Sequence, residues 1–399
     1  MQDLKEHVVK YKLLYSAIIF LVYIVGKNIP LYCIDISAYR NTSFGADELY
    51  FQIIGGDAYR SSVFALGIFP SMIAGLIVMI GTAVRRLFTK EGISPKKNQH
   101  ITAAATFVIA LFQAVTQVTG LKFSVDEEML SVVWIIAVTE MVTGALIIMW
   151  MGSRNAKYGV GGKTVFMLVN VLERITTTLL THNLSSLKIP LLISAAMMFT
   201  ILIMENTEKR IPVQRISIHN IYADKNYMAI KLNPVGIMPI MFTSAVFMLP
   251  KLIVSLLLFF YPQNQGILWW QDNLSLTRPF GICIYIVCEY LLTLGFAVLM
   301  LGPKDLSESF LKSGDSIVNL HAGHDTRRYL RGVIGRISFF SATVMGVCVA
   351  VPLIMQWNGE IDSTLTTLPT SLMMLAGFSC SIDRELKSLW AYDSCKPLF

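Results

Sequence analysis

Charged residues are scarce in this chain. Asp, Glu, Lys and Arg together make up 15% of its 399 residues, while apolar side chains make up 54%. A soluble globular domain usually has about a quarter charged residues, because its surface must meet water. This composition therefore excludes an ordinary soluble fold and indicates a chain that keeps much of its surface in lipid.

Sequence motifs of metal-binding, catalytic and nucleotide-binding sites are also missing. The six cysteines show no C-x-x-C spacing, so neither a disulfide framework nor a metal site is predicted. The sequence has no H-E-x-x-H and no G-x-S-x-G motif. The segment GVGGKT at 159–164 resembles a phosphate-binding loop, but Lys157 stands where that motif requires its first glycine. We predict no enzyme activity, no cofactor and no nucleotide site.

Long hydrophobic runs, by contrast, recur along the whole chain. A helix of roughly 20 apolar residues can cross the hydrocarbon core of a bilayer, which is about 30 Å thick. The sequence predicts an all-α polytopic membrane protein with ten spans, at 13–30, 61–84, 101–121, 131–152, 160–180, 187–204, 234–260, 278–302, 338–356 and 365–382.

The positive residues predict the orientation of these spans. If the N-terminus is inside, 25 of the 33 Lys and Arg residues fall in inner segments and six in outer segments. Positive residues next to spans stay in the cytoplasm. We therefore predict that both termini are cytoplasmic. The net charge of +7 follows from this topology, and no nucleic-acid binding is predicted.

A short motif occurs twice. Residues 67–72 are GIFPSM and residues 236–241 are GIMPIM, so Gly-Ile-x-Pro-x-Met is found in the second and seventh predicted spans. If residues 1–182 and 183–399 form two five-span halves, the copies occupy equivalent helices of halves inserted in opposite directions. A proline inside a span kinks its helix, which is tolerated beside protein or a water-filled cavity. Two such kinks indicate a central opening, although two unrelated kinks would give the same match.

Five segments resemble, in order, parts of the SecY subunit of the bacterial protein-conducting channel. They are GGDAYRSSVFALGIFPSMIAG (55–75), EKRIPVQR (208–215), IKLNPVGIMPIMFTSAVFMLP (230–250), LKSGDSIVNLHAGHDTRRYL (311–330) and LPTSLMML (368–375). The resemblance implies two halves around an hourglass pore in the bacterial cytoplasmic membrane, with a plug helix at about 45–57. It also implies a lateral gate between spans two and three on one side and spans seven and eight on the other.

The resemblance further implies an apolar ring at the narrowest point of the pore. Such a ring resists wetting and blocks ions, while its side chains can move aside for a polypeptide. Methionine suits this task because its side chain is flexible and polarisable. The positions that match the family ring are Ile68, Met72, Thr164, Leu168, Met241 and Met374.

Partners are implied by the same resemblance. The inner loops 205–233 and 303–337 would meet a SecA-type motor ATPase, small SecE- or SecG-like membrane subunits would accompany the chain, and an unfolded secretory polypeptide would pass through it. The first loop is predicted to form a hairpin through ISI (216–218) and YMAIKL (227–232). The positive-inside rule alone would also place cations in these loops. The proposed docking residues are Lys209, Arg210, Arg215, His321, Arg327, Arg328 and Arg331.

The second loop departs from the usual SecY pattern. An Arg-Pro pair is usual where this chain has His321-Ala322, and a Gly-Glu-Gln sequence is usual where it has Gly323-His324-Asp325. Histidine cannot replace the bidentate contacts of arginine. These departures indicate the accessory SecY branch of Gram-positive cocci, which works with its own SecA and exports serine-rich glycoprotein adhesins.

A secondary transporter is the alternative function. Transporters also use inverted repeats and broken helices, and they place ionisable residues inside the membrane. Glu140 and Glu289 lie near the middle of spans four and eight, where a proton relay is conceivable. Neither has a carboxylate or cation at helical spacing, so the sequence favours the channel.

Overall fold

The chain is mostly helical. A computed structural model describes residues 8–35, 62–89, 94–119, 121, 123–125, 127–215, 226–261, 263–318, 320–321 and 323–395. The predicted plug at 45–57 and the ISI segment at 216–218 lie outside these residues. In chain order the elements are α1 (Val8–Lys27), α2 (Phe69–Thr89), α3 (Pro95–Val118), a 3-10 turn (Glu127–Met129), α4 (Leu130–Tyr158), α5 (Thr164–Thr181), α6 (Leu184–Asn206), β1 (Glu208–Arg215), β2 (Tyr227–Lys231), α7 (Met238–Phe260), α8 (Gln265–Asn273), α9 (Pro279–Leu301), α10 (Pro303–Ser313), β3 (Asp315–Ile317), α11 (His324–Trp357) and α12 (Ser363–Cys395).

The helices have the length and composition of membrane spans. Within the described ranges, nine helices are long and apolar enough to cross a bilayer, and α2 adds a shorter apolar helix over Phe69–Arg85. Large apolar side chains such as Leu180 and Leu192 are exposed on their outer surfaces. A lipid-facing helix needs no polar outer face. The predicted all-α polytopic membrane protein is confirmed.

Two spans begin later than the sequence predicts. Gly67 has a φ of +54° and Gly236 a φ of +70°, and the helices α2 and α7 begin two residues after each glycine. Pro70 and Pro239 are therefore the second residues of their helices, and the prediction of mid-span kinks was wrong. Proline lacks a backbone N–H and has a fixed φ that suits the first helical turn, whereas glycine readily adopts a positive φ. Both copies of the motif thus start a helix.

α12 is central to the helix packing. It contacts α1, α5, α6 and α11, while α7 contacts α2, α3 and α9. One large buried apolar cluster includes Ile68 and Phe166 together with Met241 and Met374, so it draws on residues from both predicted halves. The interior is therefore continuous across residues 1–182 and 183–399.

A small sheet lies outside the spans. β1 pairs antiparallel with β2 on one side and with β3 on the other. The predicted second strand of the hairpin is confirmed by β2. Within the described residues the partner of β2 is EKRIPVQR, in register Glu208↔Lys231, while the ISI segment predicted as the first strand lies outside them. β3 comes from the next inner loop, and its three residues are too few to show a period-2 pattern.

Candidate pore and loop surface

Five of the six residues predicted to form the ring meet in one apolar cluster: Ile68, Met72, Met241 and Met374 are buried in it, and Leu168 packs against it. The sixth, Thr164, begins α5, and its hydroxyl donates a hydrogen bond to the carbonyl oxygen of Gly161. The structure therefore gives Thr164 a local turn contact. Ring membership stays a prediction, because methionines outside the predicted ring, such as Met345 and Met373, share the cluster.

The four buried members are shielded from water. Their side chains are each at most 6% exposed. An open pore lined by these residues would expose them to solvent. No water-filled passage therefore runs between these four side chains.

A second apolar cluster joins the helices that the resemblance assigns to the lateral gate. Leu76 of α2 and Phe296 of α9 are buried in it, and Phe242 of α7 packs against them. The rings of Phe242 and Phe296 are tilted, with centroids 5.0 Å apart. α3 also contacts α7. The seam, meaning the lateral gate between α2 and α3 on one side and α7 and α9 on the other, is therefore closed.

A turn between α4 and α5 is attached to the first turn of α2. The Lys163 ammonium donates a hydrogen bond of 2.8 Å to the Ser71 hydroxyl. The Asn155 amide donates to the carbonyl oxygens of Val160, at 3.0 Å, and Gly162, at 2.8 Å. Burial lowers the pKa of Lys163, since a low-dielectric site disfavours the charged form. The hydroxyl of Ser71 therefore solvates a cation that water reaches poorly.

The turn before α7 is organised by one buried amide. The Asn233 side chain accepts from the backbone N–H of Gly236, at 3.1 Å, and donates to the Gly236 carbonyl, at 3.0 Å. It also accepts from the Ser341 hydroxyl, at 3.2 Å, and donates to Glu205, at 3.3 Å. Glu205 in turn forms an ion pair with Arg384. We did not predict these roles, although Asn-Pro-x-Gly is a typical turn sequence.

The two inner loops form one folded unit. Ile211 of β1, Ile230 of β2 and Ile317 of β3 are buried against Leu330 and Ile334 of α11. Strand pairing between β1 and β3 connects the two loops directly. The predicted docking residues therefore belong to a single surface, which we call the loop unit (residues 208–215, 227–231 and 303–337, where described).

Three of the docking residues share one exposed helix face. Arg327, Arg328 and Arg331 are exposed at the start of α11, while Thr326 and Leu330 on the opposite face are buried. This spacing is typical of an amphipathic helix that packs on one side. The three guanidinium groups can therefore meet a partner without disturbing the core of the loop unit.

The remaining docking residues lie around the sheet. The Arg210 guanidinium lies 4.6 Å from the centre of the Tyr227 ring and donates to Glu208 at 2.8 Å. This stacking was not predicted. The side chains of Lys209 and His321 are exposed, whereas only the backbone of Arg215, paired with Asp315, belongs to the described structure.

The glutamates of the transporter alternative have separate local partners. Glu140 accepts a hydrogen bond of 3.1 Å from the backbone N–H of Tyr32. Glu289 is fully buried and accepts from the Thr293 hydroxyl, at 3.1 Å, one turn later in α9. The contact of Glu140 is local, and Glu289 has one satisfied oxygen, while its other carboxylate oxygen is buried without a hydrogen-bond partner among the described residues.

Comparison with known proteins decides the family. A family model described as SecY matches residues 62–382. The chain belongs to the SecY family. It is 30% identical over 394 residues to the accessory Sec system protein translocase subunit SecY2 of Streptococcus agalactiae, covering 96% of this chain and 94% of that relative. It is 26% identical over 419 residues to the protein of the same name from Leuconostoc gelidum subsp. gasicomitatum, covering 98% and 97%.

Solved structures support the fold of this SecY-family chain. A structure described as "The structure of a protein conducting channel" superposes with a TM-score of 0.71 at 16% identity, covering 96% of this chain and 93% of the other. Sec61 in the canine ribosome-channel complex gives a TM-score of 0.65 at 14% identity, with the same coverage. The comparisons thus agree with a channel and give no support to a secondary transporter.

Proposed function

We propose that this SecY-family chain is the protein-conducting channel subunit of an accessory Sec translocase, which exports unfolded polypeptides across the bacterial cytoplasmic membrane. The observation that carries the proposal is the water-excluded apolar cluster around the starts of α2 and α7. It occurs in a chain that is similar over nearly its whole length to SecY2 subunits. An apolar constriction prevents ion leakage because water does not wet it.

The translocation path is proposed to run between residues 1–182 and 183–399. The contacts of α2 and α3 with α7 and the shared helix-start structure of the two Gly-Ile-x-Pro copies support this division. The proposed ring keeps its predicted members, Ile68, Met72, Thr164, Leu168, Met241 and Met374. Their mostly flexible or aliphatic side chains suit a seal that must fit many substrates.

Energy is proposed to come from a SecA-type ATPase that binds the loop unit on the cytoplasmic side. The excess of Lys and Arg in inner segments supports both cytoplasmic termini and this orientation of the loop unit. Small SecE- or SecG-like subunits complete the translocase. Because the relatives are named as accessory Sec subunits, the proposed substrate is a serine-rich glycoprotein adhesin in its unfolded form.

Crosslinking of a stalled secretory chain tests the proposed path. Single cysteines replace Ile68, Met72, Met241 or Met374 in a variant that lacks the six natural cysteines. We expect crosslinks at all four positions. Met373→Cys is the matched control, since Met373 is the neighbouring buried residue of α12 and lies outside the ring. Absence of crosslinks at all four positions, or equal crosslinking at 373, would contradict the proposed ring.

A further inference from the structure

The C-terminal half of α12 bears two neighbouring residues of opposite charge, Arg384 and Glu385. With 33 residues, α12 is about 50 Å long at 1.5 Å per residue, whereas the hydrocarbon core is about 30 Å thick. Its last turns therefore stand outside the hydrocarbon, at the end of the bundle where α1 begins. There the backbone N–H of Val9 donates to Asp393 at 3.1 Å.

A series of polar contacts connects Arg384 to the start of α7. Its guanidinium pairs with Glu205, whose side chain is 3% exposed at the end of α6. Glu205 accepts from the amide of Asn233, and that amide holds both the N–H and the carbonyl of Gly236. Three consecutive polar contacts thus connect Arg384 to the glycine that starts α7.

A second series of contacts connects Glu385 to the start of α2. Its carboxylate accepts a hydrogen bond of 2.9 Å from the backbone N–H of Gly161, which has a φ of +74°. Gly161 belongs to the GVGGKT turn, and Lys163 of this turn donates to Ser71 in the first turn of α2. The turn that resembles a phosphate-binding loop therefore holds a carboxylate from its own chain.

We propose that Arg384 and Glu385 are positioning residues that couple the start of α2 to the start of α7 and hold the channel closed. The two side chains are adjacent on one rigid helix. The contacts that connect Arg384 to α7 and those that connect Glu385 to α2 therefore cannot move far independently. Each of these two series of contacts ends at one copy of Gly-Ile-x-Pro, next to the proposed ring. The inference rests on the proposed channel function and adds a control point outside the pore.

Distance measurements between α2 and α7 test the coupling without requiring transport. Spin labels are placed on cysteines at the exposed positions Ile80 and Ile253 in the full chain, without natural cysteines, in lipid nanodiscs. Glu385→Ala and Arg384→Ala are each expected to raise the population with a longer label distance by about 5- to 150-fold, the usual range for coupled sites. Ion conductance in planar bilayers is expected to rise in parallel.

The matched control is the double variant Asp383→Ala with Lys387→Ala. These residues lie in the same turns of α12, and their side chains pair with each other at 2.6 Å. We expect its distance distribution to equal that of the wild type. Arg384→Lys, which keeps the positive charge that pairs with Glu205, is expected to retain more of the closed population than Arg384→Ala.

Wild-type distance distributions in both alanine variants would overturn the coupling, as would an equal shift in the control. If Glu385→Ala does not fold, Glu385→Leu replaces it, because leucine keeps most of the side-chain volume but cannot accept from the N–H of Gly161. Failure of the ring crosslinks together with an intact distance shift would contradict the channel path and leave the coupling standing.

Discussion

At the scale of single residues, two glycines decide where the pore-side helices begin. Gly67 and Gly236 both have a positive φ, which costs a residue with a side chain about 1–2 kcal/mol. At Gly236 a Cβ atom would also lie 3.2 Å from a carboxylate oxygen of Glu205. A larger residue would therefore disturb both the turn and the polar contacts beside it.

Gly236→Ala is predicted to lower the free energy of unfolding by about 1–2 kcal/mol, because alanine is strained in this region of φ. Thermal unfolding in detergent measures the change. Gly295→Ala is the control: Gly295 lies within α9, and its Cβ would meet no described atom within 4 Å. Alanine there is expected to be neutral or to stabilise by up to about 1 kcal/mol. Equal destabilisation of both variants would contradict the role of the positive φ.

The polar residues of the site could not be predicted from one sequence. Glu205 and Arg384 are separated by 179 positions, and Gly161 and Glu385 by 224. Periodicity reports only neighbours within a few turns of a helix. The ring positions could be predicted because most of them lie in segments that resemble a known family. Glu205, Arg384 and Glu385 lie in segments without such a resemblance.

At the scale of secondary-structure elements, α8 is unusual because none of its nine residues is buried. An isolated helix of this length is marginal in water. Trp269 and Trp270 are exposed, and their rings contact each other and Phe280 at the start of α9. Tryptophan favours the boundary between hydrocarbon and water, so we expect the bilayer surface to stabilise α8.

Variants that retain Trp269 or Trp270 as the single tryptophan are predicted to show fluorescence quenched by lipids brominated near the headgroup. The other tryptophans are replaced by phenylalanine. A variant that retains only Trp390, at the charged end of α12, is the control and is expected to be quenched less. Greater quenching of Trp390 than of the α8 tryptophans would place α8 away from the lipid.

The loop unit depends on the short strand β3. Ile317→Ala is predicted to destabilise this unit by about 2–5 kcal/mol, because it removes a side chain buried against β1 and α11. Hydrogen exchange is expected to accelerate in β1 and β2 while the spans stay protected. Val318→Ala, at the exposed next position, should leave exchange unchanged. Accelerated exchange in the control alone would contradict the assigned core.

Element types were more predictable than element starts. The ten spans follow from hydropathy, but residues 62–68 are as apolar as the helix after them, so hydropathy cannot detect that α2 begins at 69. β3 forms because β1 offers a free edge, which is a tertiary effect. EKRIPVQR lacks a strict alternation, so it gave no clear strand signal.

At the scale of the whole molecule, the seal is predicted to depend on ring positions rather than on buried volume alone. Met374→Ala is expected to increase ion conductance across planar bilayers, since it widens the apolar constriction. Met373→Ala removes the same side chain from the adjacent buried position and is expected to lower stability without a leak. A leak of equal size in both variants would contradict the assignment of Met374 to the ring.

Removal of three charges from α11 is predicted to weaken binding of the SecA-type ATPase. Arg327→Gln, Arg328→Gln and Arg331→Gln together should raise the Kd by roughly 3- to 150-fold, since exposed ion pairs contribute about 0.2–1 kcal/mol each. Binding is measured with the chain in nanodiscs at low and physiological salt. Lys96→Gln with Lys97→Gln, at exposed positions in the first turn of α3, is the control. Equal Kd values for the two sets of variants would show that the SecA-type ATPase binds away from the start of α11.

The packing of the spans was the least predictable level. Lipid covers any apolar helix face as well as protein does, so composition does not show which faces meet. The central position of α12 therefore emerged only in the structure, whereas the contact of α2 with α7 was expected only from the lateral gate that the resemblance implies.

The covered start of α2 limits how the gate can move. From Ser62 to Ala74 every residue except Val63 is buried, and the non-helical part of this stretch has backbone polar groups that hydrocarbon cannot satisfy. Protein must therefore enclose it in every state of the channel. We expect the seam to part beyond this fixed start, where Leu76 of α2 meets Phe242 of α7 and Phe296 of α9, so that a hydrophobic segment enters the lipid between these helices.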